Sequence, residues 1–398
     1  LVEGYGSKGV ALGSFGGYAV LDFGAITRDA SGAYVSGGIY NDPNNAYGVD
    51  FTLFGNAMST WAEPGCVQVS QDGVNWYDIA GSLHYRPETT NKGYAVWDYT
   101  AVYEHPEEEE NTTGVAVPYT STFKIRPSIE ADTESGTVAV NNWHRHSYFP
   151  LYSNYFVALN GRTSALDGLL NPISGLTTTG FGAYQAETSS SRARLTLKGV
   201  KLVPPKTNNA NSTAPDDFLF GYFDCHPNGL RSGAQVNPYT TGRTGNDNSN
   251  GDPIDISWAV YPAGRTDTAG NDISGNPANL DAIRYVRCYT GVMQMNGIMG
   301  ESSAELLGSH KAVTKGGSAA TTLPSLKKGK EPVTLIANGV TSVSANTNYK
   351  LTSSADHIFV NGVAVSSGYS LTLVLGEKVQ IITQNGLEAP FITVLSCK

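Results

Sequence analysis

The sequence predicts an all-β chain, and three observations predict it. Gly and Pro contribute 45 and 19 of the 398 residues, and both punctuate turns. Only 15% of residues are charged, against about 25% in a typical domain, too few for long exposed helix faces. Aromatics reach 10%, led by 22 Tyr, and with β-branched residues they suit a pleated, half-buried surface. The same composition excludes a coiled coil or helical bundle. Collagen is excluded because Gly shows no period of three, and disorder because aromatic and β-branched residues are plentiful.

The strand signals come in order along the chain. Gly17 to Phe23 and Val49 to Phe54 alternate apolar with small or polar residues. Cys66 to Ser70 does the same, Gln71-Asp72-Gly73 supplies a turn, and Val74 to Ile79 reads as the returning strand. Residues 84–250 are less regular. They hold an acidic run at Glu107 to Glu110 and several Asn-, Ser- and Thr-rich stretches, and read as a long insertion. Strands resume at Asp255 to Val260 and Ile283 to Tyr289. Ser303 to Lys311 is the best short-helix candidate, capped by Ser302 or Ser303.

A polar, small-residue stretch at 312–330 reads as a linker. Beyond it, 331–398 reads as a separate small β-sandwich of about seven short strands. Asn338-Gly339, Asn361-Gly362 and Asn385-Gly386 punctuate it. The middle pair, flanked by His357 to Val360 and Val363 to Val365, signals a hairpin, because Asn-Gly supplies the two positive φ angles of a type I′ turn.

The charge balance is acidic, with a net charge of −9. A duplex-binding protein needs a basic face to neutralise phosphates; the one basic cluster, Lys327, Lys328 and Lys330, lies in the expected linker. No nucleic-acid partner is expected. Nor is a membrane span, since no run approaches the roughly 20 apolar residues one requires. Starting at Leu1, the chain suits a processed protein whose signal peptide is gone. Cys66, Cys225, Cys288 and Cys397 are widely spaced and form no Cys-x-x-Cys. Disulfides in a secreted chain and buried free thiols both fit.

Several stretches carry a resemblance. They are Phe15-Gly16-Gly17-Tyr18, Gly48 through Ala57 (GVDFTLFGNA), Glu63-Pro64-Gly65, Val67 to Ser70, Asp72-Gly73 and Trp76 to Ser82. Further on come Trp143-His144, Ser147 to Pro150, Ile254 to Val260 and Tyr289 to Val292, trailed by Gly300-Glu301. Over roughly 10–310 the chain resembles a family of cell-surface proteins of gut anaerobic bacteria. The block around Gly48 is also similar to jelly-roll modules of the galactose-binding or discoidin type. The resemblance implies a jelly-roll-like β-sandwich over 1–311, with 84–250 inserted; 331–398, which it does not cover, reads separately as a small Ig-like or similar sandwich. The resemblance also implies an extracellular or cell-surface location, a structural calcium, and capture of small nutrients by some relatives.

Three constellations merit attention. Calcium takes six to eight oxygens from carboxylates, amides and carbonyls. Asp42, Asn44, Asp50, Asn56 and Glu63 form the candidate set, with turn-capping Asn and Asp chemistry as the alternative. Glu63 precedes an apolar strand, so it is either a metal ligand or a buried acceptor; Asp255 suits a backbone acceptor. Asn246 through Asp252 looks like an EF-hand loop but lacks its closing Glu, the twelfth residue being Ser257. Finally, Trp143, His144, His146 and Tyr148, joined by Trp61 and Trp97, form a candidate ligand platform. Aromatic faces stack on rings and His supplies directional donors; an interior aromatic cluster is the alternative.

No Gly-x-Ser-x-Gly, His-Glu-x-x-His or phosphate-binding Gly loop occurs. The leading expectation is therefore non-catalytic capture of an extracellular small molecule or glycan, its loops held by calcium. A structural adhesin or filament subunit assembling by self-association is the second reading. A polysaccharide hydrolase, needing two carboxylates about 5–10 Å apart in a cleft, is the third.

Overall fold

The computed structural model describes residues 9–13, 15–88, 93–104, 117–124, 131–138, 182–185, 194–204, 218–228, 235–241, 251–293, 302–319 and 322–398. The chain is a β-sandwich protein, and no helix reaches seven residues among those described. None is long and apolar enough to cross a membrane.

The central sheet runs Ala259–Val260, Tyr77–Ile79, Gly65–Ser70, Tyr285–Thr290, Tyr18–Asp22, all antiparallel, with Tyr222–Phe223 pairing the start of Gly65–Ser70. Alternation assigns its two faces. Val67, Val69, Val286 and Cys288 face the main core. There they meet Phe51, Leu53 and Ile254 from a second sheet, ordered Asp252–Ile254, Phe51–Phe54, Gly308–Lys311. Cys66 and Tyr289 point the other way and are covered by Val200 and Leu202 of the strand Arg194–Val203, which pairs Tyr94–Glu104.

Two local expectations change. Ser303 to Lys311 is not helical: Glu305–Leu306 pairs Val10–Ala11, and Gly308–Lys311 pairs Phe51–Phe54. An open edge on a buried strand outweighed a helix propensity spread over only nine residues. Asp255 does not continue a strand. Its carboxylate accepts from the Ser257 N–H at 2.7 Å and caps a 3₁₀ turn over Ile256–Trp258.

The C-terminal module has nine strands rather than seven. One sheet runs Glu331–Val333, Ser325–Lys328, Asn348–Thr352, Tyr369–Thr372. The other runs Gly339–Val343, Phe391–Cys397, Lys378–Gln384, His357–Val360, Val363–Ala364, its first pair parallel. The extra strands come from the polar stretch around Lys327, which is edge-forming, and from 331–333 beside it. Residues 312–318 are not an open tether either. The N–H of Ala312 donates to Asp50 O, those of Gly316 and Gly317 to Asn44 O, and that of Ala389 to Ser318 O. The Asn361-Gly362 turn adopts the expected positive φ angles, 49° and 65°.

The five-stranded sheet is shared. Val379, Ile381 and Leu395 fill the module's own core. Ile382, Ile392 and Phe359, one step out of phase, enter the core of the large sandwich. Phe359 packs 5.6 Å from Phe220 and 5.8 Å from Tyr239, ring centre to ring centre. Burying three such side chains contributes several kcal/mol, at about 1.5–3 each. All four cysteines are buried, and no disulfide joins them.

Candidate metal centre

Where strand Phe51–Phe54 ends, the backbone turns at Gly55-Asn56-Ala57, and Asp224 arrives from the end of Tyr222–Phe223. Asp224 has a positive φ of 56°, a conformation that short polar side chains tolerate. Its Oδ1 accepts from the N–H of Asn56 at 2.6 Å and of Ala57 at 2.9 Å. Its Oδ2 accepts from the N–H of Glu305 at 2.9 Å. Gly55 is obligatory, since a Cβ there would overlap the Asp224 carboxyl.

Glu63 and Glu305 complete the group. The Glu63 N–H donates to Asp224 O at 3.2 Å, and its Oε1 accepts from the Ser303 N–H at 3.1 Å. Glu305 reaches hydrogen-bonding distance of Glu63 and Asn56, yet its Oε2 is buried with no partner. One carboxylate oxygen from each of Glu63, Asp224 and Glu305 lies within 4.8 Å of the others.

Burial above all, and then the neighbouring Glu63 and Asp252 charges, push the Asp224 carboxyl up to about 8. Burial, then Asp224 and Glu63, push Glu305 up to about 10. Three acids this close, Asp224 fully buried and Glu63 and Glu305 partly so, cannot all ionise unless something positive joins them. Without a cation, protons fill that role.

Behind Asp224, Asp252 receives the Cys225 N–H at Oδ2 (3.0 Å) and pairs through Oδ1 with the buried His226 ring at 2.7 Å. Asn228 donates to Gly55 O. The donor set around Glu63 is therefore all oxygen, which suits a hard cation; His226 is occupied by Asp252, and the Cys225 thiol donates to Phe223 O at 3.3 Å.

The five expected metal residues split between two networks. Asn56 and Glu63 belong to this cluster. Asp42, Asn44 and Asp50 do not: Asp42 accepts from Asn44 and meets the Lys315 ammonium, so a lysine already supplies the positive charge. Asp50 is saturated by Asp42 N–H (2.9 Å), Asn45 Nδ2 (3.2 Å) and Ile256 N–H (2.9 Å). That loop shows the turn-capping alternative. Asp252, at the end of the EF-hand-like run, is a strand residue holding His226.

Asp224 and Glu305 were missed. The first lies in the insertion, the second in the expected helix. Their one local signal is the run Phe223-Asp224-Cys225-His226, chemically dense in an otherwise Asn- and Thr-rich region.

The two described aromatic candidates, Trp61 and Trp97, have different partners. Trp61 lies half-buried in a tight turn with Met58, whose N–H donates to Trp61 O at 2.8 Å. Trp97 donates its indole N–H to His84 O at 2.5 Å and packs edge-on against His84 and Tyr85. Burial pushes His84 down to about 3, so that ring is neutral. Trp143, His144, His146 and Tyr148 lie outside the described residues.

No protein-family model matches the chain, and no curated protein matches it in sequence.

Proposed function

We propose that this chain is a non-catalytic extracellular binding protein that captures a neutral small molecule or glycan, with its loops fastened by a divalent cation, calcium by preference, at Glu63, Asp224 and Glu305. The observation that carries the cation is the buried Glu305 Oε2, without a hydrogen-bond donor, inside a trio of carboxylates; capture rests on the resemblance of the block around Gly48 to galactose-binding-type modules. An acceptor buried without a donor costs roughly 1–3 kcal/mol, and a cation removes that cost together with the repulsion among the acids.

The location argues for fastening rather than chemistry. A catalytic acid or base must reach a proton on substrate. Asp224 is fully buried and held by three backbone N–H groups. The group ties together three distant stretches, 55–63, 224 and 303–305. Calcium fits because it accepts irregular oxygen sets, whereas magnesium demands near-octahedral geometry and retains water.

The test has two arms. Thermal melting with millimolar calcium, and again in excess EGTA, addresses the cation; superimposable curves, with no metal in elemental analysis, remove it. A binding screen of neutral and charged mono- and oligosaccharides addresses capture; no binding by any member removes that part.

A further inference from the structure

A cleft of about 320 Å³ opens between the large sandwich and the C-terminal module, well away from the carboxylate trio in sequence. The large sandwich contributes Asn41, Gly48, Ser257 and Asp281; the module contributes Asn338 and Pro390. Its volume lies at the low end of the roughly 300–1,000 Å³ range of ligand pockets, suited to one ring rather than a chain.

The lining decides the ligand's charge. Among the described residues no Lys or Arg lines the cleft, so an anion finds no lining counter-charge there. Its one carboxylate, Asp281, already receives both arms of Arg28 at 2.5 and 2.7 Å and the Gln71 amide at 3.0 Å. That pairing cancels the charge a cationic ligand would need. What remains is neutral hydrogen-bonding chemistry. Ser257 Oγ donates to Asn41 Oδ1 at 3.2 Å, and Asn41 Nδ2 donates to Leu280 O at 3.0 Å, which fixes both groups at the wall. Asn338 spends its N–H on Ile392 O at 2.8 Å and holds a φ of 47°. That left-handed backbone sets its exposed side-chain amide at the rim.

Beneath the lining lies a buried carboxylate that does not itself open into the cleft. Asp255 is fully buried, and its Oδ2 has no partner. A Cβ placed on Gly48 would stand 2.7 Å from that oxygen and 2.8 Å from Pro390 Cδ, so the oxygen lies just behind two residues that line the cleft.

We infer that this inter-module cleft is the capture site, and that it binds one neutral polyhydroxylated ring the size of a single sugar. The inference rests on the capture reading above and adds its location and ligand class. Both modules build the site, so the C-terminal sandwich is part of the binding unit.

The experiment uses the full chain, with neutral hexoses and N-acetylhexosamines as one probe set and hexuronic acids and hexosamines as the other. Titration calorimetry compares wild type with Ala337→Trp and Asn338→Gly. Ala337 is an exposed lining residue, so Trp fills the cleft without entering a core. Gly keeps the left-handed backbone of position 338 while deleting the amide. Binding of a neutral sugar by wild type, abolished in Ala337→Trp and weakened about tenfold in Asn338→Gly, is the expected result. Unchanged binding in both variants overturns the site and leaves the capture reading standing. Binding of charged sugars alone overturns the ligand class. Failure of wild type to bind any probe overturns the site and the capture reading together.

Discussion

The Asp224 carboxyl occupies the space a side chain on Gly55 would need, and from there it takes the backbone N–H groups of Asn56 and Ala57. A glycine on one strand end thus holds an acid delivered by another strand. Gly55→Ala is expected to push Asp224 out of this seat at a cost of about 1–3 kcal/mol. Thermal melting reads it directly. A midpoint equal to wild type would show that the seat is adjustable.

Glu305→Gln separates cation binding from folding. The amide keeps the side-chain shape and, like the protonated Glu305 of the metal-free protein, carries no charge, so metal-free stability should hold. The calcium-induced rise in melting temperature should shrink. For wild type at calcium a hundredfold above Kd, linkage gives about 2.7 kcal/mol, a shift of roughly 3 °C for a chain of this length unfolding as one unit. Equal shifts in wild type and variant would remove Glu305 from the ligand set.

The pH dependence has a definite sign. Asp224 and Glu305 titrate at about 8 and about 10 in the folded chain, whereas unfolded carboxyls titrate near 4. Between those limits the folded state binds more protons than the unfolded state, so stability falls as pH rises. The contribution is fully present below about pH 4 and is lost as pH passes through 8 and then 10. Calcium displaces the protons and should flatten the slope. Melting curves from pH 5 to 9, with and without calcium, test this; a metal-free slope that rises would contradict it.

The Asn361-Gly362 turn is a docking element as well as a hairpin. A Cβ on Gly362 would overlap Ser82 O, and Arg86 Nη2 donates to Gly362 O at 2.9 Å. Gly362→Ala should cost at least about 2 kcal/mol, from both the positive φ and the overlap. Because Ile382, Ile392 and Phe359 share the large core, wild type should unfold in calorimetry as one transition. Two well-separated transitions in wild type would show that the modules fold independently.

Much of the scaffold was legible because its causes are local. Period-two patterning marked Val67 and Val69 as core and set Gln68 on the opposite face. Asn361-Gly362 announced its turn through backbone preferences that need no tertiary partner. Of the three carboxylates only Glu63 was legible, since an acid before an apolar strand is unusual enough to notice. Ser303 to Lys311 misled, because its helix signal is weak and a neighbouring strand edge absorbed the segment.

By itself, then, the sequence determined the all-β class, several core strands such as Gly65–Ser70 and Lys378–Gln384, and the Asn361-Gly362 turn, since these follow from side-chain alternation and backbone φ. Tertiary structure alone decided that Asp224 and Glu305 meet Glu63, that Lys315 rather than a metal faces Asp42, and that Ile382 and Ile381 serve two different cores. Each of these depends on which distant strands pair, and pairing is settled by burial and backbone hydrogen bonding over the whole chain rather than by any local stretch.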